Sequence, residues 1–172
     1  MISMVVFFVL SLYIYGGFDN TQILKLITGE KKKRYHMIVL YTRIAYGFLL
    51  AALILGITHA SNLTNFALYD LTIHYTAIGF IGLTIMLYLP LMIPPILEKP
   101  IRFLDFNNIP LGLILTALGI RTIGDVILSS QLHDSSMIIF GVSGFFVLTG
   151  MFLFVRMIHR AMKNTNSELS IV

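Results

Sequence analysis

Apolar residues in this chain do not alternate, nor do they recur on a single stripe; they run on. Five stretches, Ile2–Phe18, Met37–Ile57, Leu71–Leu97, Ile109–Ser130 and Ser136–Met157, are almost free of charge. At about 1.5 Å per residue, each is long enough to cross a hydrocarbon core of roughly 30 Å. Peptide groups in lipid must pair within their own segment, so runs of this kind predict helices. The pattern therefore predicts an all-α integral membrane bundle of five transmembrane helices. It forms a single domain over 1–172, with no room for a separate soluble domain. The stretch 164–172 reads as a polar, loosely ordered tail.

Small residues and prolines punctuate these runs. Gly79 and Gly82, Gly112, Gly119 and Gly124, and Gly141 and Gly144 predict close helix approach, since membrane helices associate through packing rather than through hydrophobic drive. Pro90, Pro94 and Pro95 each remove a backbone donor, and they predict that the third helix bends or ends early. The first stretch has no basic residues before its apolar run and no small-x-small cleavage pattern before Gly16-Gly17, so it is expected to be a retained helix rather than a secretory signal.

Composition agrees with the pattern. The chain is 57% hydrophobic and only 12% charged, with a mean hydropathy of +0.87. Such values exclude an ordinary soluble domain. Orientation follows from the basic residues, which favour the cytoplasmic side of short loops. Lys25, Lys31, Lys32, Lys33 and Arg34 follow the first segment; Lys99 and Arg102 follow the third; Arg156, Arg160 and Lys163 follow the fifth. The loops Thr58–Tyr69 and Gln131–Ser135 hold no Lys or Arg. The expected arrangement has the N-terminus outside and the C-terminus in the cytoplasm, in the cell membrane. This distribution accounts for the net charge of +4 as topology plus attraction to anionic lipid, without recourse to nucleic acid.

The exceptions carry the candidate chemistry. Arg121 and Asp125 lie inside a membrane-length segment, where insertion of either near the centre costs about 2.5–3.5 kcal/mol. They are spaced i,i+4 and can pair with each other. By helical rise, His74 lies ~6 Å below the outer boundary, with Asp125 and Arg121 ~7 and ~13 Å below it. His59 closes the second segment and Asp70 opens the third on the same side. Five ionisable groups thus share the outer third of the membrane. Three roles fit them. Arg121 and Asp125 can form a self-neutralised internal clamp. His59 or His74 can ligate haem iron or copper, with Arg121 compensating a propionate and Asp125 orienting a histidine. A His–Asp–Arg chain can also pass protons.

The remaining polar residues read more simply. Arg43 can snorkel to the headgroups, and Tyr35, Tyr41, Tyr69 and Tyr75 suit an aromatic belt. Met86, Met92, Met151 and Met157 read as packing or lipid-facing residues. The absence of cysteine excludes disulfides, thiolate metal sites and covalent c-type haem. No nucleophile–base constellation, phosphate loop or HExxH pattern occurs, so the sequence offers no catalytic residues.

The stretch His74-Tyr75-Thr76-Ala77-Ile78-Gly79-Phe80, continuing through Ile85-Met86 to Pro90 and Pro94, resembles the NnrS-type membrane proteins. Arg121-Thr122-Ile123-Gly124-Asp125 is similar to that family's Arg-x-x-Gly segment. The resemblance covers about Tyr41–Asp125. It implies haem and copper binding linked to nitrogen-oxide metabolism, with His74 as a ligand and Arg121 as its polar neighbour. The chain departs from the pattern at Tyr88, which stands where the family has a second His. Residues 74 and 88 are fourteen apart, just under four α-helical turns, and so are expected on nearly the same face. With Tyr88 at the inner position, only an outer site is expected to persist.

The expected function is a haem b- or metal-binding subunit of a membrane redox system, with cofactor-binding residues His74, His59, Arg121 and Asp125, the two histidines being the metal ligands. The alternatives are an accessory subunit of a larger membrane complex, with Arg121–Asp125 as its clamp, and a small proton or ion transporter. Expected partners are the bilayer and other membrane subunits.

Overall fold

A computed structural model describes residues 30–61, 66–97, 107–128 and 134–169, together with positions 6, 9 and 10. The described residues form four helices: α1 (Glu30–Ser61), α2 (Phe66–Leu97), α3 (Ile109–Leu128) and α4 (Asp134–Leu169). There is no strand among them. Three are long and apolar enough to cross a membrane, over Arg34–Ala60, Phe66–Leu97 and Ile138–Lys163. The expected first segment, Ile2–Phe18, lies outside the described residues except for helical Val6, Val9 and Leu10.

Local sequence explains where the helices begin and how they continue. Asn107 Oδ1 accepts the Ile109 N–H at 3.1 Å, and Gly112 N–H donates to Asn108 O at 2.9 Å, closing the first turn of α3. Pro110 sits in that turn, where its missing N–H leaves nothing unpaired. α4 continues to Leu169, so the expected loose tail is helical through that residue. The prolines of α2 do not end it early: the helix passes through Pro90, Pro94 and Pro95 to Leu97. Membrane helices tolerate proline because neighbouring groups satisfy the freed carbonyls. The irregularity of α2 lies earlier in the chain. It is α-helical over Phe66–His74, π-helical over Tyr75–Gly82 and α-helical again over Leu83–Leu97. Leu83 N–H reaches back five residues to Ile78 O at the end of the wide stretch.

The helices pack as two pairs. α1 lies along α2, α3 lies along α4, and α2 meets α3 across the seam between the pairs. The apolar core draws on all four: Ala45 of α1, Leu83, Met86 and Leu87 of α2, Leu111, Ile114 and Leu118 of α3, and Phe154 and Ile158 of α4. Ser143 Oγ donates to Ala117 O at 3.0 Å, tying α4 to α3 within that pair. Two glycines set the pair distances. A Cβ on Gly79 would stand 2.7 Å from Phe48 Cγ, and one on Gly150 would stand 3.1 Å from Pro110 O. Gly112, Gly119, Gly141 and Gly144, expected at close approaches, have open space around them. Gly124 meets the Phe140 ring at 3.0 Å as expected.

Phe48 Cβ would stand 2.8 Å from a Cβ on Gly79 and cannot swing away without moving α1. Gly79→Leu should therefore destabilise the protein by about 1–3 kcal/mol through overpacking, whereas Gly112→Ala should stay within about 0.5 kcal/mol of wild type. Thermal unfolding in detergent distinguishes them; equal behaviour would show that α1 and α2 do not approach here.

Candidate functional site: a buried ion-pair cluster on the α2–α3 seam

α1 ends, α2 begins, α3 ends and α4 begins at the same end of the bundle, so His59, Asp70, His74, Arg121 and Asp125 are gathered there by topology alone. Side-chain geometry then separates them. Arg121 reaches from α3 to α2 and grips Asp70 with two parallel bonds: Nε donates to Oδ2 at 2.7 Å and Nη2 to Oδ1 at 2.8 Å. The two side chains are only 17% and 12% exposed. A planar guanidinium matched to a carboxylate in this way is among the stronger and more directional polar contacts available to a protein. The ring of Phe140, from α4, lies under the same guanidinium, with Cζ 4.3 Å from its centroid. Arg121 thus binds three helices, and the aromatic face favours a desolvated cation.

The partnership expected from spacing is present but secondary. Arg121 Nε lies 3.5 Å from Asp125 Oδ2, an ion pair too long for a good hydrogen bond. Asp125 is 3% exposed, and its Oδ2 has no hydrogen-bond partner among the described residues. Two carboxylates therefore share one guanidinium, and the tighter grip goes to the one on the other helix.

His74 joins through Asp70. Its Nδ1 lies 2.8 Å from the Asp70 carbonyl oxygen, one turn back, and 3.3 Å from Asp70 Oδ2. Both are acceptors, so Nδ1 carries a proton, and in the neutral ring Nε2 then keeps the lone pair. Asp70, not Asp125, is the residue that orients this histidine. The next residue, Tyr75, donates its hydroxyl to Thr122 Oγ1 at 2.7 Å, since the Thr122 hydroxyl itself donates to Leu118 O at 2.7 Å. Tyr75 is thereby a seam residue rather than part of an aromatic belt.

Two expected members stand apart. His59 stacks near Tyr69, with ring centroids 5.5 Å apart, and its buried Nδ1 has no hydrogen-bond partner among the described residues. No hydrogen bond or ion pair among them joins it to the cluster. Tyr88 points elsewhere: it is 40% exposed, and its hydroxyl lies 3.4 Å from Thr42 Oγ1 of α1. The π-helical stretch lies wholly between residues 74 and 88, so the α-helical count that put them on one face does not hold. Among the described residues no group of three or more His, Asp or Glu side chains is arranged to hold a metal ion. Arg121 is paired with both of the carboxylates that would otherwise begin one.

The sequence reading had Asp70 as a helix entrance rather than as the principal partner. Its position four residues before His74 was the available signal. The roles of Tyr75, Thr122 and Phe140 had none, because they depend on how α2, α3 and α4 are rotated.

Fold and cluster together define a helical protein with three helices fit to cross a bilayer and a buried charged seam between α2 and α3. Comparison of the chain with family models, with curated proteins and with solved structures found no match.

Breaking a buried pair from one side leaves an uncompensated charge, so Arg121→Leu should cost about 3–5 kcal/mol. Adding Asp70→Leu should recover most of that loss, whereas adding Asp125→Asn should recover little. A double-mutant cycle of unfolding in detergent measures both couplings; equal rescue by the two would remove Asp70 as the main partner.

Proposed function

We propose that the chain is a multi-pass protein of the cell membrane, with five transmembrane helices, N-terminus outside and C-terminus in the cytoplasm. In this reading Ile2–Phe18 and α3 cross the membrane together with the three long apolar helices, and the α2–α3 cluster lies in the outer half of the bilayer. Its function is to hold a redox cofactor, haem b in the first instance, as a subunit of a membrane redox system.

The observation that carries this reading is the presentation of His74. A histidine whose Nδ1–H is held by a carbonyl and a carboxylate, and whose Nε2 is left with its lone pair, has the arrangement found behind metal-ligating imidazoles. His74 is 26% exposed at the side chain, so a group can approach it from outside the bundle. His74 would hold the haem iron, which would supply one-electron chemistry there. Asp70, which contacts the ring through both its carbonyl and its carboxylate, orients His74. Arg121 gives Nε and one Nη2 donor to Asp70, so any propionate it compensates would meet its remaining N–H groups. The orphaned Nδ1 of His59 offers a further polar contact at the same end.

A second reading is favoured by the bidentate pair itself. A clamp this well formed serves an accessory subunit equally well, with no cofactor at all.

Oxidised and dithionite-reduced absorption spectra of the purified membrane protein, with iron and copper analysis, separate the two. A Soret band that shifts on reduction and is lost in His74→Ala, while the helical content is kept, supports haem at His74. No band and no bound metal leaves the clamp of an accessory subunit as the function of the cluster.

Topology is tested independently, because the chain has no cysteine. Gln131→Cys should react with a membrane-impermeant maleimide on intact cells, and Lys163→Cys should react only after permeabilisation. The reverse pattern would invert the bundle.

A further inference from the structure

α4 presents two opposite faces. Ser143, Gly150, Phe154, Ile158 and Ala161 are buried, and that face packs on α3. On the other face Phe145, Leu148, Phe152 and Val155 are each more than 60% exposed. The apolar row does not stop at a loop. It continues on the same side of the same helix into Arg156, His159, Arg160 and Lys163, all exposed. At about 100° per residue the eight side chains fall within an arc of roughly 140°.

Lengths and charges agree with one kind of occupant. Phe145 to Val155 spans ~15 Å, about the depth of one leaflet of a ~30 Å hydrocarbon core. Arg156 to Lys163 spans a further ~10 Å, in the layer where headgroups lie. α4 carries no Asp or Glu between Ile138 and Lys163, and no described acid pairs with Arg156, Arg160 or Lys163. Two arginines one turn apart, with a lysine three residues further on, supply planar forks and a point charge for a phosphate oxygen cluster. A helix of another protein would fill the apolar row equally well, but it would have no need of a basic row from Arg156 to Lys163 in register with it.

We infer that this face of α4 is a binding site for an anionic phospholipid, its acyl chain along Phe145, Leu148 and Phe152 and its phosphate held by Arg156, Arg160 and Lys163. The lipid contributes what the helix lacks, an anion at the headgroup layer and a flexible chain that fills the spaces beside Gly141 and Gly144, whose Cβ positions are open. His74 and its neighbours take no part in this site.

The test uses the delipidated full chain in detergent, with phosphatidylglycerol, phosphatidylcholine of the same acyl chains, and inorganic phosphate as probes, read by native mass spectrometry and thermal shift. Phosphatidylglycerol should be retained and raise the melting temperature, phosphatidylcholine and phosphate should not, and each of Arg156→Gln, Arg160→Gln and Lys163→Gln should weaken retention about fivefold. Phe152→Ala should weaken it with every charge intact. Equal retention of the two phospholipids would overturn the headgroup contacts. An equal effect of inorganic phosphate, or retention unchanged in Phe152→Ala, would overturn the lipid and leave a bare anion site. Co-purification of a stoichiometric protein that protects this face from lipid would overturn the proposal outright.

Discussion

The bidentate contact between Arg121 and Asp70 is the constraint on which the arrangement of the bundle turns. α1 with α2, and α3 with α4, are held by long apolar interfaces that would permit some sliding and rotation of one pair against the other. A guanidinium buried in a low-dielectric interior does not permit it. Desolvating each ion costs several kcal/mol, and only the right depth and rotation return that energy through two short bonds. The pair therefore acts less as added stability than as a register mark. It sets α2 against α3, and with the Phe140 ring beneath the cation it sets α4 as well.

Much of the helical content was legible because it follows from one-dimensional quantities. Runs such as Met37–Ile57 and Leu71–Leu97 announce themselves by length and lack of charge, and the described helices contain them with extensions at the ends. The extension of α4 through Asn164 to Leu169 was missed because polar residues outside an apolar run look like a tail, although nothing in their backbone forbids helix. Pro90, Pro94 and Pro95 were expected to bend or end α2; it passes through them and stops at Leu97, the end its apolar run had given. Ionisable residues were visible as anomalies, since Arg121 and Asp125 stand out in any apolar stretch. Their partnership was not, because Asp70 and Asp125 both lie within reach of Arg121 by depth, and choosing between them requires the rotation of α2. Gly150 was overlooked and Gly112 overread on the same ground, since a glycine's value depends on which face meets a neighbour.

The charge count within the cluster says something that no single contact does. Asp70 and Asp125 lie beside a single guanidinium, and Asp125 Oδ2 is buried without a hydrogen-bond partner among the described residues. A second carboxyl adds desolvation beyond what the bidentate pair itself requires. Asp125 lies at the same end of the seam as His74, whose side chain is 26% exposed. The cluster is therefore built from more ionisable groups than the register mark alone needs.

The π-helical stretch explains how one helix can serve both the cluster and the core. On an unbroken α-helix, Met86 would point about 160° away from Asp70, sixteen residues earlier, so the charged contact and the apolar core would lie on opposite sides of α2. Wider turns over Tyr75–Gly82, roughly 80° per residue rather than 100°, withdraw most of that difference over eight residues. Asp70 can then meet Arg121 while Leu83, Met86 and Leu87 meet Leu111 and Leu118 on the same neighbour. The loosened hydrogen-bond geometry of the π turns is offset by satisfying two requirements that a regular helix would set against each other. That His74 is the last residue before those turns follows from the same need: the helix must stay regular while it carries Asp70 and the ring it orients, and it must change its winding immediately afterwards.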